Sequence, residues 1–440
     1  MRRDAMQQLY DWKEKTTRKP LIVRGARQVG KTWLMKEFAS SAYRQFAYIN
    51  FEDNEVMKDV FQKDFDVERI LMAIQLVTAQ NLHSEILERA AEIKGKVYLF
   101  FDEIQEAPRG LTALKYFQEK APQYHVVAAG SLLGIAMHSN DSFPVGKVDF
   151  MDLYPLSFSE FLEAVGQEAF ARLLAKKDWG LIAAFRSKLI DLLKQYYYVG
   201  GMPEVVNAFI NHKDYAEVRQ LQQTILDSYD RDFSKHAPIA EVPRIRMIWR
   251  SVPAQLAKEN KKFIYGVVKE GARAKDVELA IEWLVDAGLI YKVSRVKKAG
   301  IPLSAYEDFS AFKLFLLDTG LMGAMSGLPP QALLEGNVLF SDYKGAITEQ
   351  YVLQQLKSVK GLSIYYWSSD TSRGELDFLL QKDVSVIPVE VKAEENLQSK
   401  SLRFFVEKNA GLHGVRFSMS DYRKQEWMIN YPLYSVGYIL

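Results

Sequence analysis

The chain has 440 residues, of which 48% are apolar and 25% charged. This composition is typical of globular proteins and excludes a disordered or collagen-like chain. The 57 basic and 55 acidic side chains leave a net charge of +2, and cysteine is absent. Disulfides and thiolate metal sites are thereby excluded, and any nucleic-acid surface has to be a local patch. We find no signal-peptide core and no apolar run of membrane-spanning length, so we expect a soluble cytoplasmic protein without a membrane partner.

The first third of the chain alternates short apolar strands with helices. We predict strands at 20–25, 46–53, 96–103 and 125–131, and helices at 31–42 and 67–92. Short apolar runs separated by helices form parallel sheets that are covered on both faces. We therefore expect residues 1–150 to form an α/β domain around a parallel sheet.

A phosphate-binding loop lies between the first predicted strand and its helix. Eight residues match the pattern G-x-x-x-x-G-K-[ST], and we predict that all of them contact a nucleoside triphosphate: Gly25, Ala26, Arg27, Gln28, Val29, Gly30, Lys31 and Thr32. The glycines let the backbone amides turn toward phosphate oxygens, and the helix that follows adds its positive end. Lys31 is expected to reach the β- and γ-phosphates, and Thr32 to ligate Mg²⁺.

Two acids follow the apolar run 97–101, and a serine follows the run 125–130. We predict that Asp102 supports the Mg²⁺ ion and that Glu103 polarises the attacking water. Ser131 is placed where it could sense the γ-phosphate, although a simple capping role fits it nearly as well. Arg109 and Arg231 are the candidates for an arginine finger.

Four segments resemble a family of bacterial and archaeal AAA-type ATPases: RGARQVGKT, FFDEIQEAP, AAGSLLG and LYPLSFSEF. YYYVGGMPEVV and FKLFLLDTGLM extend the resemblance over nearly the whole chain. The resemblance implies binding of ATP and Mg²⁺, ATP hydrolysis, a helical region and a C-terminal domain of unknown function that resembles the PD-(D/E)XK nuclease fold. The chain departs from many relatives at Lys147, where they carry an arginine.

The middle of the chain is predicted to be helical and then to form a winged helix. Residues 151–240 form the helical extension, and 241–335 the winged-helix-like domain, with a turn-rich linker at 326–336. Residues 258–298 hold ten basic and six acidic side chains, a local charge of +4. Four acids on the second predicted helix disfavour major-groove binding, so phosphate contacts near 292–298 and protein docking are both left open.

The C-terminal residues 336–440 are predicted to fold as a helix, three strands, a helix and a final strand, as in restriction-endonuclease-like domains. Glu349 lies on the helix, Asp377 on the second strand, and Glu390 and Lys392 on one face of the third strand. The three carboxylates would bind Mg²⁺, and Lys392 would orient or deprotonate water. The alternative is that Glu390 and Lys392 belong to an ordinary surface strand, because alternating charged positions are common on half-exposed sheets. Even a nuclease-like fold does not by itself give cleavage activity.

The sequence therefore predicts a multidomain α/β ATPase with a phosphate-loop core, a helical extension, a winged helix and a nuclease-like domain. Mg²⁺-dependent ATP hydrolysis would drive a conformational switch that acts on DNA or on a protein partner, and an oligomer is compatible with this function. Two alternatives remain. The chain could be an ATP-gated nuclease that cuts DNA or RNA, or a nucleotide-dependent scaffold without nuclease activity.

Overall fold

The computed structural model describes eight stretches of the chain: 1–78, 97–131, 133–136, 143–258, 261–334, 341–369, 374–394 and 398–439. These residues fold into two compact units. The N-terminal unit comprises residues 2–154 and 286–288, and the C-terminal unit comprises residue 1 with 155–285 and 289–440. The part of the predicted helix 67–92 beyond residue 78 lies outside the described residues.

The N-terminal unit alternates strands and helices as predicted. Its described elements are α1 (Ala5–Glu14), β1 (Leu21–Arg24), α2 (Lys31–Ala42), β2 (Gln45–Asn50), α3 (Glu55–Lys63), α4 (Val67–Thr78), β3 (Val97–Asp102), α5 (Gly110–Lys120), β4 (His125–Ala129), α6 (Leu133–Ala136) and β5 (Asp149–Asp152). Strands β3 and β4 are buried along their whole length, because helices cover the sheet on both faces.

The described strands of this unit form one parallel sheet in the order β2-β3-β4-β1-β5. Because all strands run in the same direction, their carboxyl ends lie at one edge, where ligands of open α/β sheets bind. Strand β4 lies between β1 and β3. The residue that follows β4 is therefore placed between the loop after β1 and the acids after β3.

Large side chains from the sheet and from helices α3, α4 and α5 fill the core on one face of this sheet. Phe61 packs edge-on against Phe51 and Phe101, with ring centroids 4.9 and 5.5 Å apart. Buried aromatic side chains contribute most to such cores. The packing holds β2 and β3 in register, so that Asn50 lies opposite Asp102.

Helices dominate the first half of the C-terminal unit, as predicted. They are α7 (Phe158–Ala164), α8 (Glu168–Lys176), α9 (Trp179–Ala184), α10 (Arg186–Val199), α11 (Pro203–His212), α12 (Tyr215–His236), α13 (Val242–Leu256), α14 (Tyr265–Val268) and α15 (Ala274–Asp286). Helix α10 ends at the predicted turn, where Gly200 has φ +75°. Buried Asp318 secures this turn by accepting hydrogen bonds from Gly201 N and Gln354 Nε2 at 2.6 and 3.0 Å.

The second half of this unit holds the remaining strands and helices. They are β6 (Ile290–Val296), β7 (Glu307–Leu316), α16 (Thr319–Met325), α17 (Pro330–Leu334), α18 (Ser341–Lys357), β8 (Leu362–Ser368), β9 (Glu375–Lys382), β10 (Ser385–Val391), α19 (Lys400–Lys408), β11 (Gly414–Ser418), β12 (Arg423–Lys424), β13 (Met428–Pro432) and α20 (Val436–Ile439). The predicted order of helix, three strands, helix and strand is found from α18 to β11.

Eight strands of the described residues form one mixed sheet in the order β12-β13-β11-β10-β9-β8-β6-β7. Strand β9 pairs antiparallel with both β8 and β10, and β10 runs parallel to β11. Strand β6 pairs parallel with β8 through Arg295 and Val296. Trp367, Leu376, Leu402 and Phe405 belong to the apolar core under this sheet.

The structure of this unit differs from the prediction in three ways. The strands β6 and β7, which we assigned to a winged helix in 241–335, continue the same sheet as the strands of 336–440. The helix before the predicted turn at Gly271 is only the four-residue α14. In addition, β12 and β13 follow the strand that we expected to be the last. Among the helices that the structure describes, none combines the length and apolarity needed to cross a membrane.

Candidate nucleotide site

The loop between β1 and α2 curls around its own backbone, as the phosphate-loop pattern predicts. Gly25 has φ +149°, and a Cβ atom there would lie only 2.3 Å from the carbonyl oxygen of Leu153. Gly30 has φ +91° and begins helix α2 in the left-handed conformation. Such angles disfavour any residue with a Cβ atom, so both glycines are required by the path of the chain. The amides at the start of α2 carry the positive end of the helix dipole, which favours an anion at this loop.

Lys31 is buried inside this loop, with 5% of its surface exposed. Its Nζ donates hydrogen bonds of 2.8 Å to the carbonyl oxygens of Gly25 and Ala26. Burial lowers the pKa of Lys31 to about 8, although the negative charges of Glu103 and Asp102 oppose the shift. Among the described residues, the ammonium group bonds neutral carbonyl oxygens. Phosphate oxygens could take their place and form a stronger, charged interaction with it.

Thr32 and Asp102 meet where the metal ion is predicted. Thr32 Oγ1 donates a 2.7 Å hydrogen bond to Asp102 Oδ2, and the Tyr48 hydroxyl donates a second one of 3.1 Å to the same oxygen. Burial raises the pKa of Asp102, and the hydrogen bond from Thr32 opposes the shift. Hydroxyl and carboxylate oxygens are the ligands that Mg²⁺ prefers, and this pair fits the ion.

Glu103 is held beside this pair in an unusual conformation. Its backbone is left-handed, with φ +48°. Its Oε2 accepts hydrogen bonds from Gln105 Nε2 at 2.5 Å and from Ser131 Oγ at 3.0 Å. Burial alone would raise the pKa of Glu103, but these hydrogen bonds and the charge of Lys31 lower it. The carboxylate is therefore ionised at neutral pH and can accept a hydrogen bond from water.

Ser131 links the acidic pair to the loop. Arg27 Nε donates a 3.0 Å hydrogen bond to Ser131 Oγ, which itself donates to Glu103. The five predicted residues Lys31, Thr32, Asp102, Glu103 and Ser131 thus lie at one edge of the sheet. The order of the strands explains this meeting, because β4 brings Ser131 between the loop and the acids.

Sequence reasoning missed Tyr48 and Gln105 and did not foresee the contact of Arg27 with Ser131. The position of Tyr48 in the sequence did give a hint of this contact. Tyr48 lies on β2, next to β3, and two residues before Asn50, which pairs with Asp102. Gln105 carried no such hint, because its position depends on the left-handed turn at Glu103.

The two candidates for an arginine finger belong to different units. Arg109 stacks over the Phe65 ring at 3.9 Å and donates to the Gln62 carbonyl oxygen at 3.3 Å. It lines a cavity of about 470 Å³ together with Lys147, whose Nζ pairs with Glu119 at 2.9 Å. Arg231 lies on α12 of the C-terminal unit and lines a separate cavity of about 560 Å³.

The predicted C-terminal carboxylates lie in the C-terminal unit, and two of them, Glu349 and Glu390, are paired with cations. Glu349 on α18 has only 3% of its surface exposed. It contacts Lys261 through Oε1, and its Oε2 lies 3.8 Å from Lys313 Nζ. Asp377 on β9 accepts a 2.7 Å hydrogen bond from Val391 N and contacts Glu349.

The pKa values of Glu349 and Asp377 are shifted in opposite directions. Burial and the charge of Glu349 raise the pKa of Asp377 well above its usual range. Burial would also raise the pKa of Glu349, but the charges of Lys261 and Lys313 lower it to about 2.

Glu390 is only 5% exposed and pairs with Lys392, whose Nζ lies 3.0 Å from Glu390 Oε1. The two side chains share a face of the sheet, as their spacing predicts. No set of three or more His, Cys, Asp or Glu side chains in a metal-holding arrangement occurs among the described residues.

The basic side chains of 258–298 are partly engaged. Lys292 pairs with Glu282 at 2.9 Å, and Arg295 pairs with Asp308 at 2.5 Å. Lys297 and Lys298 are exposed, and Lys298 lies over the Tyr306 ring at 4.4 Å.

Three family models match the chain in succession. Residues 17–162 match a model described as an AAA domain, 190–332 a domain of unknown function (DUF8612), and 344–435 a domain of unknown function (DUF4143). The first match confirms the predicted AAA-type core. The last match confirms the prediction of a C-terminal domain of unknown function.

The curated relatives include MJ1544 of Methanocaldococcus jannaschii, an uncharacterised protein that is 22% identical over 368 residues. That alignment covers 82% of this chain and 71% of the relative. An uncharacterised protein of Haemophilus influenzae is 25% identical over 213 residues, which cover 47% of this chain and 44% of the relative.

Among solved structures, the chain is similar to the Walker-type ATPase PABY2304 of Pyrococcus abyssi, with a TM-score of 0.47 and 14% identity. The alignment covers 74% of this chain and 95% of that one. The Aeropyrum pernix ORC1 protein in complex with DNA gives a TM-score of 0.27 and 12% identity, with 74% and 91% covered. We draw no functional conclusion from these two similarities.

Proposed function

We propose that this protein binds ATP together with Mg²⁺ and hydrolyses it. The observation that carries the proposal is the 2.7 Å hydrogen bond between Thr32 and Asp102 next to buried Lys31. It brings the end of the phosphate loop and the acid of β3 to one point, as binding of a metal–triphosphate complex requires. The match of residues 17–162 to an AAA domain supports the same function.

The residues of this site divide the work of hydrolysis. Lys31 exchanges its bonds to Gly25 and Ala26 for bonds to the β- and γ-phosphate oxygens and balances their charge. Thr32 and Asp102 would hold Mg²⁺, which neutralises negative charge on the phosphates when it is bound. The loop amides orient the triphosphate, so that its terminal phosphorus faces Glu103.

Glu103 positions the attacking water and accepts its proton as the water oxygen bonds to the γ-phosphorus and the bond to the bridging oxygen breaks. Ser131 donates to Glu103 and accepts from Arg27. We infer that a γ-phosphate in this position competes for these donors, so that the presence or loss of the phosphate changes the contacts of Ser131. This change is the local event of a conformational switch.

The Glu103→Gln variant tests the role of the carboxylate. An amide keeps the shape of the side chain but cannot accept the proton, so the variant is expected to bind ATP like the wild type. Its turnover should fall by about 10²- to 10⁴-fold. The matched control is Glu106→Gln, three residues further on, which should hydrolyse ATP at the wild-type rate. Normal turnover by Glu103→Gln would overturn the assignment of this group.

We further propose that the switch acts on DNA or on a protein partner. Exposed Lys297 and Lys298 support phosphate contacts without base specificity. ATPase rates measured with and without DNA at low salt distinguish the two partners, because phosphate contacts weaken as salt increases. Stimulation by DNA that disappears in the Lys297→Ala, Lys298→Ala double variant supports the DNA partner. An unchanged rate with every nucleic acid favours the nucleotide-dependent scaffold.

For the C-terminal domain we infer a restriction-endonuclease-like fold. The run from α18 through β8, β9, β10 and α19 to β11 supports it, as do the strand directions and the contact of Glu349 with Asp377. The fold alone does not give cleavage activity. The cations that surround Glu349 argue against the ATP-gated nuclease.

A further inference from the structure

Glu349 of the predicted C-terminal metal centre already has two neighbouring cations that come from outside the predicted motif. Lys261 contacts Glu349 Oε1, and it lies in the segment between α13 and α14. Lys313 is on β7, with Nζ 3.8 Å from Glu349 Oε2 and 2.5 Å from Glu375 Oε1. Neither lysine belongs to the motif of Glu349, Asp377, Glu390 and Lys392, so sequence reasoning did not connect them with it.

The burial of this cluster makes these pairs necessary. The side chains of Lys313 and Glu349 are 0% and 4% exposed, and that of Lys261 is 16% exposed. A buried carboxylate without a partner is strongly unfavourable, because it has lost its water without gaining an opposite charge. Two ammonium groups next to Glu349 supply the positive charge that a divalent ion would bring.

The remaining acid of the motif does not complete a metal site either. Glu390 is paired with Lys392 on its own strand, at 3.0 Å. Asp377 accepts from the backbone of Val391 on the neighbouring strand. The donor set in this structure therefore does not fit a metal centre.

We propose that the ammonium groups of Lys261 and Lys313 neutralise the Glu349 and Asp377 cluster in place of a divalent cation, and that Lys261 is the group that excludes metal. The two lysines differ in what they do. Lys313 is fully buried and also holds Glu375, so it is part of the core of the sheet. Lys261 is partly exposed and contacts Glu349 through Oε1, so its ammonium group occupies space beside this carboxylate that a metal ion could otherwise enter.

The test uses the full-length protein without nucleotide and Mn²⁺ alone as the probe, with free Mn²⁺ measured by electron paramagnetic resonance. The wild type is expected to show no Mn²⁺ uptake that depends on Asp377. The Lys261→Met variant should take up Mn²⁺ at concentrations at least about tenfold below any at which the wild type does, because Glu349 then lacks one of its two cations. Adding Asp377→Asn to this variant should remove that uptake. The matched control is Lys262→Met, which changes the exposed neighbouring lysine and should behave like the wild type.

Two results would overturn the proposal. One is Mn²⁺ uptake by the wild type that Asp377→Asn abolishes, because the lysines would then not exclude metal. The other is a folded Lys261→Met variant that takes up no more Mn²⁺ than the wild type. If the methionine variant does not fold, Lys261→Gln replaces it, since glutamine removes the charge but keeps a hydrogen-bond donor. The outcome is independent of ATP hydrolysis, because no nucleotide is present.

Discussion

The two units of this protein each bury a lysine among carboxylates, but they do so in opposite ways. In the N-terminal unit, Lys31 bonds backbone carbonyl oxygens, and Asp102 and Glu103 are held by hydroxyl and amide donors. In the C-terminal unit, Glu349 contacts the ammonium groups of Lys261 and Lys313. A carboxylate that accepts hydrogen bonds from neutral donors keeps its negative charge available for a cation. A carboxylate that is paired with ammonium groups does not, because its charge is already balanced. The first cluster is therefore arranged for a charged ligand and the second for stability.

The largest expected effect that separates the clusters concerns folding. Lys313→Met leaves buried carboxylates without their counter-charge, so the free energy of unfolding should fall by about 3–5 kcal/mol. Urea denaturation measures this loss. The control Lys400→Met changes an exposed lysine of the same unit and should stay within about 0.5 kcal/mol of the wild type. If Lys313→Met were as stable as this control, the second cluster would not be a stabilising one.

The pH dependence of nucleotide binding tests the N-terminal cluster of this comparison. Burial lowers the pKa of Lys31 to about 8, so this lysine loses its proton above pH 8 while an ordinary lysine keeps it. ATP affinity should therefore fall above pH 8, by at most about tenfold per pH unit. The folding stability of the protein without nucleotide should change with pH in the opposite direction. The unfolded chain holds that proton more tightly, so stability should rise with pH between about 8 and 10.5.

Binding titrations and urea denaturation over this pH range measure both trends, and Lys31→Met should lack both. Lys313 offers the contrast, because neighbouring Glu375 and Glu349 raise its pKa despite burial. An ATP affinity that stays constant from pH 7 to 9.5 would contradict the account of Lys31.

A smaller effect is expected at Gln105, which we regard as a positioning residue for Glu103. Gln105→Ala removes the 2.5 Å hydrogen bond to Glu103 Oε2, so kcat should fall about fivefold while KM for ATP changes little. Loss of this hydrogen bond also raises the pKa of Glu103, so the acid limb of the kcat profile should move to higher pH. Steady-state ATPase assays over a pH series measure both changes. A fall in kcat without a shift of the acid limb would indicate a purely structural role.

The sequence predicted well which side chains meet at the edge of the N-terminal sheet, because the parts of this cluster are local. A strand, a glycine-containing loop and a helix within 20–42 define the phosphate loop, and an apolar run leads directly to Asp102 and Glu103. Parallel strands bring such carboxyl ends together whatever lies between them. Gln105 was beyond prediction, because its contact depends on the left-handed backbone of Glu103.

The C-terminal unit was predicted less completely, because its contacts connect distant parts of the chain. The pattern from Glu349 to Lys392 indicated the correct helices and strands. The pairing of β6 with β8, from Arg295 to Tyr366, left no periodic signal in the sequence. The same holds for Lys313, which lies on a strand where a lysine would ordinarily be expected to face solvent. Only the assembled sheet shows that it neutralises Glu349 and Glu375.

The central claim is that the loop around Lys31 binds a triphosphate with its metal ion, and isothermal titration of Mg²⁺-ATP onto the full-length protein tests it most directly. We predict saturable binding by the wild type and by Lys120→Met, which changes an exposed lysine of the same unit. Affinity should be at least about a hundredfold weaker in Lys31→Met, a loss of about 2.7 kcal/mol. Absence of binding by the wild type, or equal binding by Lys31→Met, would contradict the account.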